Sequence, residues 1–237
     1  MSPKVTVLIP IYKAILDENE LKSVLQSIKV FEKHSIKFLA PKNLNCQHLN
    51  RLFSELEIVR FEDKFFKSVI SYSQLLLSPK FYRKFKSSEY ILICQTDVWV
   101  FKDELDFWCT QDYDYIGAPW LTPPPITTGE PKINLQKFFI NKVGNGGFSL
   151  RKVKSHFRNA VIFYPLLKLF NKNEDMFWGM FIDYLNPFFK KPHYLHALEF
   201  AIERDGREAM VILKDKLPMA VHAWEKYDLE LWETLIN

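Results

Sequence analysis

Apolar runs that stop abruptly at polar residues recur through the first hundred positions of this chain, and between them lie stretches whose apolar residues return every three to four positions. The first pattern is that of strands buried on both faces; the second is that of helices covering a sheet. Val5-Thr6-Val7-Leu8-Ile9-Pro10-Ile11 predicts a strand over 5–11, and Leu21, Val24, Leu25 and Ile28 predict a helix over 19–33. A strand over 36–40, a helix over 44–56, a strand over 57–61, a helix over 69–77 and a strand over 89–94 follow. Such alternation predicts an α/β fold, a nucleotide-binding type of sheet flanked by helices.

The second half is less regular. Residues 113–120 suggest one short strand, Phe148-Ser149-Leu150 another, and a helix begins at Met176. The proline-rich stretch 121–131 cannot be regular structure; it is either a lid flanked by Trp120 or a stiff surface connection. No internal repeat or long linker divides the chain, so one domain over 1–237 is expected, with a regular part over 1–110 and a less regular part over 111–237.

One apolar run carries chemistry. Tyr90-Ile91-Leu92-Ile93-Cys94 leads through Gln95-Thr96 to a lone carboxylate at Asp97, and Val98-Trp99-Val100 continues apolar beyond it. In an α/β sheet, ligands bind outside the carboxyl ends of the strands, where an Asp can hold a metal against a phosphorylated ligand. The other reading is an Asp that caps a turn after Thr96.

Composition narrows the class. With 48% hydrophobic and 16% aromatic residues in 237, the chain can bury a large core, which excludes disorder. A formal charge of +4, spread without blocks, favours anionic ligands or an anionic membrane surface over nucleic acid. Cys46, Cys94 and Cys109 share no metal-type spacing and read as buried, reduced thiols of a cytoplasmic protein. The first apolar run is too short for a signal sequence, and no segment is long enough to span a bilayer. Membrane contact is therefore expected to be peripheral at most, at the inner face.

Four segments accompany the Asp97 strand: Gly117-Ala118-Pro119-Trp120, Val143-Gly144-Asn145-Gly146-Gly147-Phe148-Ser149-Leu150-Arg151, Asn173-Glu174-Asp175-Met176, and Pro218-Met219-Ala220-Val221-His222-Ala223-Trp224. In this order the chain resembles a bacterial glycosyltransferase-like family, long catalogued as a domain of unknown function and found with polysaccharide biosynthesis genes. That family is similar to nucleotide-sugar transferases of the GT-A fold, and the order of elements resembles inverting galactosyltransferases. The resemblance implies a UDP-hexose donor bridged by Mn²⁺ or Mg²⁺, and a glycan or lipid-linked glycan acceptor. The usual Asp-x-Asp stands here as Gln95-Thr96-Asp97, with an amide in place of the first acid.

On that resemblance Asp97 and His222 are the candidate metal ligands, with Gln95 beside them on the donor. Pro10, Tyr12 and Lys13 are expected near the nucleotide: Tyr12 against the base, and Lys13 or Arg151 at phosphate. Asp175 is the candidate base for the acceptor hydroxyl, and Glu174 is expected to bind sugar hydroxyls, because adjacent acids on one helix cannot share a direction. The same Asn-Glu-Asp also suits a helix start, where acids meet the positive end of the dipole. Gly146 and Gly147 leave room for a sugar or make a turn, Trp120 and Trp178 are candidate platforms for a pyranose or core residues, and Glu203 is assigned to scaffolding by a salt bridge or cap. Two other classes compete. A non-catalytic nucleotide-sugar or glycan-binding module would explain the missing acid, whereas a nucleotidyltransferase fits poorly without a Gly-rich phosphate loop.

Overall fold

The computed structural model describes residues 4–122 and 138–236. In chain order the elements are β1 (Val5–Pro10), α1 (Glu18–Val30), β2 (Ser35–Pro41), α2 (Gln47–Leu52), β3 (Glu57–Phe61), α3 (Val69–Leu76), α4 (Pro79–Lys84), β4 (Tyr90–Cys94), β5 (Val98–Val100), α5 (Leu105–Thr110), β6 (Tyr115–Gly117) and β7 (Pro119–Trp120). They continue with β8 (Lys142–Val143), β9 (Phe148–Lys152), α6 (Val153–Ile162), α7 (Tyr164–Leu169), α8 (Glu174–Met176), α9 (Ile182–Leu185), α10 (Tyr194–Phe200), β10 (Ala201–Ile202), α11 (Gly206–Leu213), β11 (Ala220–His222) and α12 (Leu229–Ile236).

The expected α/β sheet is present, in the order β3-β2-β1-β4-β9-β6. The first four strands run parallel, and β9 enters antiparallel between β4 and β6. Every residue of β1 and β4 is buried, as an apolar run covered on both faces requires. The buried hydroxyl of Thr6 in the middle of β1 is satisfied by Ser88, 2.7 Å away. All three cysteines are free and buried.

Boundaries move where local chemistry outweighs periodicity. The first helix starts at a capping box, Asp17 accepting from the Glu20 amide and Glu20 from the Asp17 amide, and ends at Val30 before buried Phe31. The helix expected over 44–56 shrinks to Gln47–Leu52, because the Asn45 side chain turns the chain by accepting from the Gln47 amide and Phe53 leaves helical geometry. The single strand expected over 113–120 is two, β6 and β7, and β7 leaves the main sheet to pair with β8. The helix expected from Met176 starts at Glu174 and widens into a π-turn over Phe177–Phe181.

Antiparallel pairing delivers the second half of the chain to the end of β4. Cys94 faces Phe148 across β4 and β9, and the Gln95 amide donates to the Gly147 carbonyl at 2.9 Å. A second sheet, β10-β11-β5, sets His222 opposite Val98. The Gln95-Thr96-Asp97 turn therefore meets the glycine-rich segment on one side and the last strand on the other. Most of the proline-rich stretch proposed as a lid lies outside the described residues.

Candidate active site

The Gln95-Thr96-Asp97 turn is the hub. Its backbone is clamped at both ends, Val98 donating to the Gln95 carbonyl at 3.2 Å and Ala223 to the Asp97 carbonyl at 2.9 Å. Three side-chain atoms converge there: His222 Nε2 lies 3.2 Å from Asp97 Oδ1 and 3.1 Å from Gln95 Oε1. Nδ1 of the same ring faces Glu203 Oε1 at 3.3 Å and Asn145 Nδ2 at 2.9 Å. Burial alone would depress the His222 pKa, but the Asp97 and Glu203 carboxylates outweigh it and raise it to about 10. Both acids are held below their ordinary values against their own burial, His222 being the main cause for each.

Asp97 Oδ1 is buried and makes no well-formed hydrogen bond despite its closeness to the imidazole, while 42% of the Asp97 side chain stays open to solvent. A buried oxygen without a proper donor, on a side chain partly open to solvent, has the character of a ligand in waiting. Two ligands of one octahedral divalent cation, each about 2.1 Å from it, stand about 3 Å apart. The Asp97–His222 and Gln95–His222 separations match that edge. Glu203 behind His222 Nδ1 supplies the carboxylate–histidine contact that orients metal-binding imidazoles. The residues present therefore fit a divalent ion held by Asp97 and His222 with Gln95 alongside. Among the described residues no cluster of three or more His, Cys, Asp or Glu forms a self-sufficient cage, so a substrate would have to complete the coordination.

Asn145 organises the loop, although sequence reasoning did not single it out. It is buried, in the left-handed conformation at φ 58°, and its Oδ1 accepts from the Gly147 amide at 2.9 Å and the Phe148 amide at 3.2 Å. That leaves its Nδ2 turned to His222. An Asn directly before two glycines was the available signal, since Asn tolerates this conformation better than most residues. Glu203 was assigned to a salt bridge or cap, and its partner is His222 itself.

The adjacent acids do divide, but not as expected. Glu174 is buried and committed: Oε1 accepts from Arg151 Nη2 at 2.8 Å and Oε2 from the Ser73 hydroxyl at 2.9 Å. Buried and ion-paired with Arg151, it serves as a structural counter-charge, which corrects its expected role on a sugar. Arg151 is fully buried as well, bonded to Ser149 Oγ at 3.0 Å and lying over the Tyr115 ring, so it cannot reach phosphate. Asp175 has different partners and accepts from the Gly146 amide at 3.2 Å and the Met176 amide at 2.7 Å. Burial, Glu174 and Glu203 together push its pKa up to about 7.

Other candidates are also corrected. The space above Gly146 is filled by the Glu174 carboxylate and that above Gly147 by the His222 ring, and a Cβ at either would overlap them. These glycines make room for site side chains, not for a sugar. Trp178 is wholly buried among His156, Phe177 and Phe189, and Trp120 is buried against Phe139 and Gly144, so neither offers a platform. On the donor side, Pro10 ends β1, and Tyr12 just beyond it is exposed with its ring edge-on to Tyr72. Lys13 is half-exposed and already paired with Glu20 at 2.7 Å and Asp17 at 3.0 Å.

Similarity to known proteins bears on the fold. The chain is similar in fold to mouse xyloside xylosyltransferase 1 in its apo form, at 12% identity and a TM-score of 0.55, over 93% of this chain and 97% of that one. It is likewise similar to the galactosyltransferase LgtC, solved with donor and acceptor sugar analogs, at 14% identity and a TM-score of 0.52, over 92% and 86% of the two chains. The fold is thus that of GT-A glycosyltransferases. No curated protein matches the sequence. A family model described as "Protein of unknown function (DUF5672)" matches residues 55–222, a span that includes both Asp97 and His222. The chain belongs to the DUF5672 family.

Proposed function

We propose that this protein is a glycosyltransferase that moves a hexosyl group from a nucleotide sugar, UDP-linked, to a hydroxyl of a surface-glycan acceptor, with Asp97, Gln95 and His222 on the donor side and Asp175 on the acceptor side. The observation that carries this reading is the meeting of Asp97 Oδ1, Gln95 Oε1 and His222 Nε2 within 3.2 Å on a GT-A fold, one loop away from a carboxylate whose pKa is about 7. The chain is read as a single domain, with the nucleotide bound by residues 1–110 and the acceptor by residues 111–237.

The reaction breaks the bond between the anomeric carbon and the diphosphate oxygen, whose electron pair leaves with the nucleotide. The acceptor oxygen forms the new bond, and its proton must go to a base. Asp97 and His222 would hold a divalent cation, Mn²⁺ or Mg²⁺, which when bound would supply positive charge against the leaving diphosphate. Asp97 and Gln95 orient the donor at the open end of the turn, while Glu203 and Asn145 hold the His222 ring in place. Asp175 takes the acceptor proton; a base near neutrality suits that task, and the two backbone amides that donate to it keep its oxygens aimed. A single displacement assisted in this way gives inversion at the anomeric carbon. Tyr12 lines the nucleotide side.

The test is turnover of UDP-, GDP-, dTDP- and CMP-sugars with and without Mn²⁺, read as nucleotide release, alongside thermal shift. One sugar nucleotide should be consumed in a cation-dependent manner; no turnover on any donor overturns the enzymatic reading. A second reading has its own support in the amide at position 95 and the lack of a self-sufficient metal cage among the described residues. A non-catalytic binding module would be stabilised by UDP yet consume no donor.

A further inference from the structure

The three most exposed large hydrophobic residues among the described positions are Phe188 (86%), Tyr184 (82%) and Leu169 (82%), and they lie in one stretch of chain. Ile162, Leu166 and Phe181, in the same stretch, are exposed too. The stretch folds back on itself: Phe170 after α7 packs on Phe177 and Phe181 at 5.5 Å, and Asn186 after α9 donates to Asn159 of α6 at 2.9 Å. Helix α7 buries only Leu167, and Phe181, Tyr184 and Leu185 at α9, with Phe188 just after the chain turns extended at Asn186, are all exposed. Packing against the other described residues does not account for these side chains.

Charge indicates what covers them. Between Val153 and Lys191 the chain carries six bases, Lys154, Arg158, Lys168, Lys172, Lys190 and Lys191, against three acids. Two of these bases are already paired, Lys190 with Asp112 at 2.8 Å and Lys191 with Asp183 at 2.7 Å, while Glu174 is buried against Arg151 and Asp175 accepts from the Gly146 amide, so Lys154, Arg158, Lys168 and Lys172 remain as the bases of the stretch. Apolar and aromatic side chains interleaved with lysines, on short helices, are the composition of a surface that sits in the headgroup region of an anionic bilayer. A basic rim of this kind argues against a second copy, whose own rim would repel it. No described helix is long and apolar enough to cross a membrane.

We propose that the face formed by α6, α7 and residues 181–188 docks on an anionic lipid bilayer and so brings a membrane-anchored acceptor to Asp175, which lies in the same stretch. The docking surface stands by itself; the delivery of an acceptor rests on the function proposed above. Docking inserts Leu169, Tyr184 and Phe188 among the headgroups, while Lys168 and Lys172 meet lipid phosphates.

The experiment is co-sedimentation of the full chain with phosphatidylcholine vesicles that contain or lack phosphatidylglycerol, at low and high salt. Wild type should partition at least about tenfold more strongly onto the anionic vesicles, and salt should weaken it. The triple variant Leu169→Ser/Tyr184→Ser/Phe188→Ser should lose binding about tenfold or more while hydrolysis of a soluble donor is unchanged. Because that variant removes packing atoms, Lys168→Glu/Lys172→Glu, which touches exposed charge alone, gives a second reading and should weaken binding in the same direction. Equal binding to both vesicle types, binding untouched by both variants, or a wild-type dimer in solution that the triple variant dissolves without any lipid binding each overturns the proposal. Vesicle binding without donor turnover leaves the surface standing and sinks the glycosyltransferase reading; turnover without vesicle binding does the reverse.

Discussion

Two buried ionic clusters lie side by side in this protein, separated by the width of the glycine loop, and they are built to opposite ends. Arg151 and Glu174 are closed to solvent, and both Glu174 oxygens are satisfied from within. Asp97, Glu203 and His222 bring two carboxylates to one imidazole, leave Asp97 Oδ1 without a proper hydrogen bond, and keep 42% of the Asp97 side chain open to solvent. The first cluster is complete as it stands and ties β9 and α8 to α3. The second holds unspent negative charge at an opening, which is what a cation or a polar ligand needs. Buried charge alone therefore does not mark a site; incompleteness at an opening does.

The contrast can be broken most forcefully at Glu174. Glu174→Ala leaves the Arg151 guanidinium buried without a counter-charge and should destabilise the fold by about 3–5 kcal/mol, lowering the melting temperature by roughly 10 °C in calorimetry. A change under about 1 kcal/mol would mean that the closed cluster is not structural.

Asp97→Ala should do the opposite. Donor turnover falls about 10²–10³-fold, while the melting temperature without ligand stays within a few degrees, since the lost group is half-exposed. Full activity of this variant, or full activity of wild type in chelator, removes the metal role.

Asp175 sharpens the comparison because it lies between the clusters. Asp175→Asn should cost about 10²-fold in kcat. In wild type, kcat/KM should rise with pH through about 7, since a base must be ionised to accept a proton. Stability moves in the reverse sense: this acid has a folded pKa above its ordinary 3.8, so what it contributes is present at low pH and lost as pH rises through about 7. Asp175→Asn should therefore melt higher than wild type at pH 8, and lower or equal melting there would deny the elevated pKa.

The smallest expected effect is at the rear of the open cluster. Glu203→Gln keeps the shape behind His222 but weakens its orienting contact, and Mn²⁺ affinity measured by titration calorimetry should fall about 10-fold to 100-fold. Unchanged affinity would reduce Glu203 to a packing residue.

Much of this is legible in the amino-acid order alone. The strands Val5–Pro10 and Tyr90–Cys94 announce themselves as nearly continuous apolar runs, because burial on both faces leaves little alternative in composition. Asp97 and His222 can be singled out one by one. The division between Glu174 and Asp175 can be anticipated but not its sense, since the direction of each depends on Arg151 from β9 and on the Gly146 amide. Gly146 and Gly147 mislead for a related reason: a missing side chain signals that something comes close, and cannot say whether that something is a ligand or the protein's own His222 and Glu174.

By itself, then, the sequence determined the α/β class, the buried strands, the start of the first helix near Asp17 and the acid waiting beyond β4, all of which follow from neighbours a few residues apart. Only the tertiary structure decided that Asn145 and Glu203 join the expected pair Asp97 and His222 in one site, that Arg151 and Trp178 belong to the core, and that Leu169, Tyr184 and Phe188 are exposed. The shared site depends on antiparallel register between β4 and β9 and between β5 and β11, which joins residues far apart in the chain, and local patterning carries no information about such pairings.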